Sequence, residues 1–226
     1  MHLLTKIACA QVELRWDREL AGSAEMRARQ LRGALSEAFG DDDLFHQHDA
    51  NGKPLYRYPL VQYRWQTGQG LVVGWGAAAN RLLTLPWLDL NLRLGEESVV
   101  VSDAALTLRH EPFGVSEQLL HYGLVTPVLL LRSENYRRYQ GLDAKGQQTE
   151  RDRLLVSNLL AAMRGLDVHF PAQLYAAFAQ PRLRTCHYKN QELIGIGGDL
   201  VSNAVLPDGF AVGHAVSHGF GWIVAR

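Results

Sequence analysis

At 226 residues, with 47% apolar and 20% charged side chains, the chain has the composition of a soluble globular protein that can bury a real core in one large domain or two small ones. Its 23 basic and 23 acidic residues cancel, which argues against a generally sticky nucleic-acid binder but leaves room for a local basic face. No apolar run approaches the roughly 20 residues of a membrane span, and MHLLTKIACA does not read as an export signal. The two cysteines, Cys9 and Cys186, form no metal-ligand spacing, so a reducing cytoplasm is the expected location.

In chain order, residues 3–14 read as a strand. Ser23 predicts the N-cap of a helix running to about Phe39, where Gly40 and an acidic run stop it. Met26, Leu31, Leu35 and Phe39 form its apolar face; Arg27, Arg29 and Arg32 fall elsewhere, on a face suited to solvent or to a phosphate backbone. A loop over 40–54 leads into a strand predicted over 55–65. There Tyr56, Tyr58, Leu60, Gln62 and Arg64 share one face by period two, and Pro59 implies an edge or an irregularity. A TGQG turn joins a strand at 71–75, followed by a helix at 77–85 closed by Pro86 and strands at 88–94 and 98–109, the second ending near Pro112. Strand, helix, strand, strand, helix, strand is the split pattern of a ferredoxin-like domain.

The second half partly repeats this order. A strand over 123–131 is interrupted by Pro127, and NYRRY at 135–139 and a polar loop follow. A helix over 150–166 aligns Leu154, Leu155, Leu159, Leu160 and Met163, and strands are predicted near 183–188, 193–199 and 220–224. The boundary falls near Phe113, dividing the chain into 1–112 and 113–226.

The stretch HQHDANGKPLYRYPLVQYR, residues 46–64, concentrates the chemistry. His46 and His48 lie on one side only if their backbone is extended. Two imidazoles can divide RNA self-cleavage: one takes the proton of a ribose 2′-hydroxyl and the other protonates the departing 5′-oxygen, both near neutral pH. Tyr56 or Tyr58 can orient the phosphate, and Lys53, Arg29 or Arg32 can stabilise its developing charge. The same H-x-H spacing serves metal enzymes, but His110, His121, His169 and His187 stand in no ligand spacing, and metal ranks below metal-free acid–base work. At the C-terminus, PDGFAVGHAVSHGFGWIV carries glycines at 209, 213, 219 and 221. These either bring backbone close to an anion or satisfy the geometry of a tight hairpin.

Taken together these segments resemble the compact endoribonucleases of the RAMP superfamily that process precursor CRISPR RNA, in the branch with an H-x-H loop before a YPLVQY-like strand. The resemblance rests on LRG at 31–33, HQH at 46–48, YRYPLVQYR at 56–64, TPVLLLRSENYRRY at 126–139, SNLLAAMRGLDV at 157–168 and SNAVLPDGFAVGHAVSHGFGWIV at 202–224. It implies an α+β fold of two tandem ferredoxin-like (RRM-like) domains packed side by side, the first with the H-x-H loop and the second with the glycine-rich loop. It also implies metal-independent cleavage of CRISPR repeat RNA, with no cofactor, leaving a 5′-hydroxyl and a 2′,3′-cyclic phosphate.

The family's catalytic histidines carry over onto His46 and His48, and its assisting tyrosine onto Tyr56 or Tyr58, with Tyr56 nearer the loop. Expected RNA contacts are Arg29, Arg32, Lys53, Arg64, Arg137 and Arg138, with Gly213, His214, Ser217, Gly219 and Gly221 of the last loop. Arg151, Arg153, Arg182 and Arg184 are further candidates. Two positions depart from the family's habit: His214 stands where a lysine is common, and Gln47 where asparagine is. The partners implied are the repeat RNA, as precursor and mature guide, and other subunits of a CRISPR effector complex. The alternative is a non-catalytic RNA-binding subunit of such a complex.

Overall fold

Ser23 opens the first helix, as its position before a run of helix formers predicts. Its hydroxyl accepts from the Met26 amide at 3.2 Å, and helix α1 spans Ala24–Ala38. The structure is a computed structural model that describes residues 4–40, 42, 44–45, 58–170, 172–188 and 191–226. It divides into two units, one of Ile7–Glu111 with Ser217–Gly219, the other of Pro112–Val216 and Phe220–Arg226 with the start of the chain through Lys6.

In the N-terminal unit, strands β1 (Thr5–Trp16), β2 (Val61–Gln66) and β3 (Gln69–Trp75) form an antiparallel sheet with β3 in the middle, pairing Val12 with Val72 and Tyr63 with Val72. Thr67 and Gly68 both have positive φ, the geometry of a tight hairpin turn whose twist matches the strands it joins. Helix α2 (Ala77–Leu82) follows, then β4 (Asn91–Leu94), which turns at Gly95 into β5 (Glu97–Leu129). Val12, Leu14, Leu31, Leu35, Tyr63, Leu82 and Leu94 fill the core beneath α1. Each of the valine and leucine side chains contributes roughly 1.5–3 kcal/mol by burial.

Arg27 departs from the sequence expectation. It is only 2% exposed, lies 5.9 Å from the Trp65 ring centroid, and donates to the Ala21 carbonyl and to Glu97. Trp65 in turn stacks on Trp16 at 5.4 Å. A guanidinium over a ring face with its N–H groups satisfied is one way a cation enters a core.

In the C-terminal unit the later part of β5 runs between β7 (Gln191–Val205) and β8 (Ile223–Ala225), with β6 (Ala176–Tyr188) beyond β7, all antiparallel. Helices α3 (Ser133–Gln140) and α4 (Ala144–Gly165) precede β6. Tyr122 ties the sheet internally: its hydroxyl donates to the Ala204 carbonyl at 2.7 Å and accepts from the Leu206 amide at 3.1 Å.

Two stretches here differ from the sequence reading. The strand expected to stop near Pro112 continues to Leu129, because proline's fixed φ suits an extended chain and costs only one ladder donor. Pro127 does disturb the pairing, at a register shift between Leu124 and Val128. The polar run 141–150, read as a loop, is mostly helix: Asp143 caps α4 by accepting from the Gly146 amide at 2.7 Å, and the polar side chains occupy its outer turns.

Candidate functional site

His46, His48, Lys53 and Tyr56 lie outside the described residues; the segments that flank them are within. On the downstream side, Leu60 precedes β2, which begins at Val61 rather than at residue 55. Gln62 and Arg64 alternate onto one face of that strand, and Tyr58 sits before it, half-buried. The Gln62 amide donates to the Tyr58 hydroxyl at 2.9 Å, and Arg64 Nη2 donates to Gln62 Oε1 at 3.3 Å. A chain of side-chain hydrogen bonds thus runs from the strand interior to Tyr58, the first described residue after position 57.

Arg64 was expected to meet RNA, but it is only 4% exposed. Burial pushes its guanidinium down to about 10, still protonated at neutral pH. Held there against Gln62, the charge is withdrawn from solvent phosphates and acts on its neighbours instead. Cys9 shares this environment: burial, and secondarily Glu111, pushes its thiol up to about 12, which makes it inert as a nucleophile. Among the described residues no cluster of three or more His, Cys, Asp or Glu side chains is placed to hold a metal ion.

The other expected contacts divide by exposure. Arg29 is exposed and Arg32 half-buried on α1. Arg137 and Arg138 are exposed in the last turn of α3, where cations also favour the helix dipole. Arg182 and Arg184 are exposed on β6. Among the further candidates, Arg151 turns inward to the Tyr139 hydroxyl at 2.5 Å, and Arg153 pairs with Glu150.

The glycine-rich segment is built tightly. At Gly221, with φ of 71°, a Cβ would stand 1.8 Å from the Val212 carbonyl oxygen. At Gly213 it would meet Val128 and Leu129. Gly219 serves the N-terminal unit, where a Cβ would reach 3.2 Å from the Tyr63 carbonyl and 3.3 Å from Ala28. The protein's own backbone and side chains thus crowd the space beside all three glycines, where a larger residue would be strained. Ser217 is buried in the short 3-10 turn Val216–His218. His214 donates its amide to the Leu129 carbonyl at 2.8 Å; burial, then nearby Arg132, holds its imidazole below the usual range, so it is neutral at pH 7.

Gln62 is the residue whose role the sequence did not show. Its alternation with Arg64 was legible, but not that its amide would bridge Arg64 and Tyr58.

Comparison with known proteins adds the family. The Cas6b N-terminal domain matches residues 5–112, and the Cas6b C-terminal domain matches residues 114–226. An uncharacterized protein of Methanocaldococcus jannaschii is 32% identical over 136 residues, 60% of this chain and 91% of that protein. A crystal structure of Cas6b is similar at 21% identity with a TM-score of 0.85, covering 98% of this chain and all of that one. A crystal structure of the CRISPR RNA processing endoribonuclease Cas6b is similar at 20% identity and 0.73, covering 97% and 100%. At such identities the two structures speak to the fold.

Proposed function

The chain belongs to the Cas6b family, and from that premise we propose that it is an endoribonuclease that cuts CRISPR repeat RNA in the precursor transcript to release guide RNA. The observation that carries this reading is the match of both Cas6b domains, in order, over nearly the whole chain, the first of them spanning His46 and His48. The architecture is consistent with it. In the N-terminal unit, β3 between β1 and β2 with α1 over the sheet supports a ferredoxin-like domain; we assign the same fold to the second domain, and the boundary to 112/113.

The reaction proposed needs no metal. One of His46 and His48 takes the proton from the 2′-hydroxyl, the freed oxygen attacks the adjacent phosphorus, and the bond to the 5′-oxygen breaks as the other histidine protonates it. The products are a 2′,3′-cyclic phosphate and a 5′-hydroxyl. Tyr56 is the assigned helper at the phosphate, and Lys53, or one of Arg29 and Arg32, stabilises the charge that develops there. Tyr58, its hydroxyl against Gln62, is the alternative helper. Arg137 and Arg138 are the proposed phosphate contacts of the second domain; Ser217, Gly213, Gly219 and Gly221 shape the loop that presents His214. The bound guide RNA is then available to further subunits of an effector complex.

The test is cleavage of the cognate repeat in EDTA. Cutting is expected to persist, to stop with a 2′-deoxy substitution at the scissile position, and to give cyclic phosphate ends. His46→Ala and His48→Ala are each expected to slow it about 10²-fold or more with RNA binding kept. Tight binding without product in the wild type would make the protein a non-catalytic RNA-binding subunit instead.

A further inference from the structure

We propose that Asp42 and Arg81 are positioning residues that set the backbone leading into His46 and so govern the cleavage step without contacting RNA; this rests on the reading of His46 as a proton-transfer group. Asp42 gathers the turn around itself. Its amide donates to the Phe39 carbonyl at 3.0 Å, and its own carbonyl accepts from the Phe45 amide at 2.9 Å. The two carboxylate oxygens are divided: Oδ1 accepts from the Leu44 amide at 3.0 Å, and Oδ2 accepts from Arg81 Nε at 2.5 Å. The carboxylate therefore couples this turn to the last turn of α2. Arg81 is held in its turn, donating from Nη1 to the Thr84 hydroxyl at 3.1 Å.

The next step along the chain is the decisive one. Phe45 immediately precedes His46 and is 3% exposed, its ring 5.1 Å from Phe39, which meets Trp87 edge-on at 5.6 Å. The Ser36 hydroxyl donates to the Phe45 carbonyl at 3.2 Å, and that carbonyl belongs to the peptide bond entering His46. Both sides of Phe45 are thus fixed: its amide by Asp42, its carbonyl by α1. A reacting group misplaced by about 1 Å can lose on the order of 10²-fold in rate. Arg81 itself is 45% exposed, so its removal spares the core while loosening the turn.

The experiment follows single-turnover cleavage of the cognate repeat RNA with enzyme in excess, together with RNA affinity, thermal midpoint and hydrogen exchange at Leu44 and Phe45. Arg81→Ala is expected to slow the chemical step about tenfold, with affinity and midpoint unchanged and with faster exchange at the two amides. Asp42→Asn keeps an acceptor for the Leu44 amide but loses the charge, and is expected to match it; Arg81→Lys is expected to recover part of the rate. Wild-type rates in both Arg81→Ala and Asp42→Asn overturn the proposal, and so does a slowing explained entirely by weaker RNA binding or by unfolding. If His46→Ala also cuts at the wild-type rate, the reading of His46 falls and the role of Asp42 and Arg81 with it. If His46→Ala is inactive while Arg81→Ala is normal, only the role of Asp42 and Arg81 falls.

Discussion

Arg27 and Arg64 of the N-terminal unit are buried, whereas Arg137, Arg138, Arg182 and Arg184 of the C-terminal unit stand in solvent. The buried arginines are spent on the protein: one lies over Trp65 and grips Ala21 and Glu97, the other leans on the Gln62–Tyr58 chain. The exposed ones keep their charge where a polyanion can reach it. A net charge of zero conceals this division, because it counts both kinds alike. For a protein that binds RNA the useful quantity is the exposed charge on each face.

The sharpest way to break the contrast is to remove a charge of the first kind. Arg27→Ala strips the ring contact and leaves the Ala21 carbonyl without its donor; we expect a loss of about 2–4 kcal/mol in urea unfolding. A loss within 0.5 kcal/mol would mean the core does not need the cation. Next comes the second kind. Arg137→Ala with Arg138→Ala is expected to leave unfolding almost unchanged, yet to flatten the slope of log binding constant against log salt by about 1.4–1.8, roughly 0.7–0.9 per phosphate contact. An unchanged slope would remove α3 from the RNA path.

Arg64→Met sharpens the comparison from the middle. A neutral side chain of similar length at a buried position is expected to shift stability by no more than about 1 kcal/mol and leave the salt slope intact. Cleavage slowed with unchanged binding would then give the Gln62–Tyr58 chain a part in the reaction.

The smallest effect concerns His214. Its pKa is depressed in the folded state, so the unfolded chain binds more protons as pH falls below the ordinary imidazole value near 6.5. The stability it permits is complete above that value and declines as pH falls towards the folded pKa. His214→Gln is expected to flatten this acid limb of the thermal midpoint, and an identical limb in both proteins would contradict it.

Much of this was legible in the sequence. The Ser23 cap, the hairpin at Thr67–Gly68 and the α4 core came from local rules, since each is decided by residues within one turn or one strand pair. The exchange of partners across long separations was not. Arg27 shared an amphipathic helix with Arg29 and Arg32, and nothing in the spacing said that it would meet Trp65 and Glu97. The acidic run after Gly40 read only as a helix stop, although Asp42 closes a turn with Arg81, 39 residues away. The extent of β5 was missed because Pro112 looks like an end when its neighbours are unknown.

Gly219 carries a consequence for how the chain acquires its structure. With Ser217 and His218 it belongs by packing to a unit that otherwise ends at Glu111, so that unit is completed by a turn made more than a hundred residues later. During synthesis, at roughly 5–20 residues per second, the first half leaves the ribosome several seconds before the residues that seal the ground between Tyr63 and Ala28. A fragment stopped at residue 112 should therefore be a folding intermediate rather than a finished domain, with strand β2 less protected from exchange than in the full chain. The protein's last segment, on this view, doubles as the closing step of its first half.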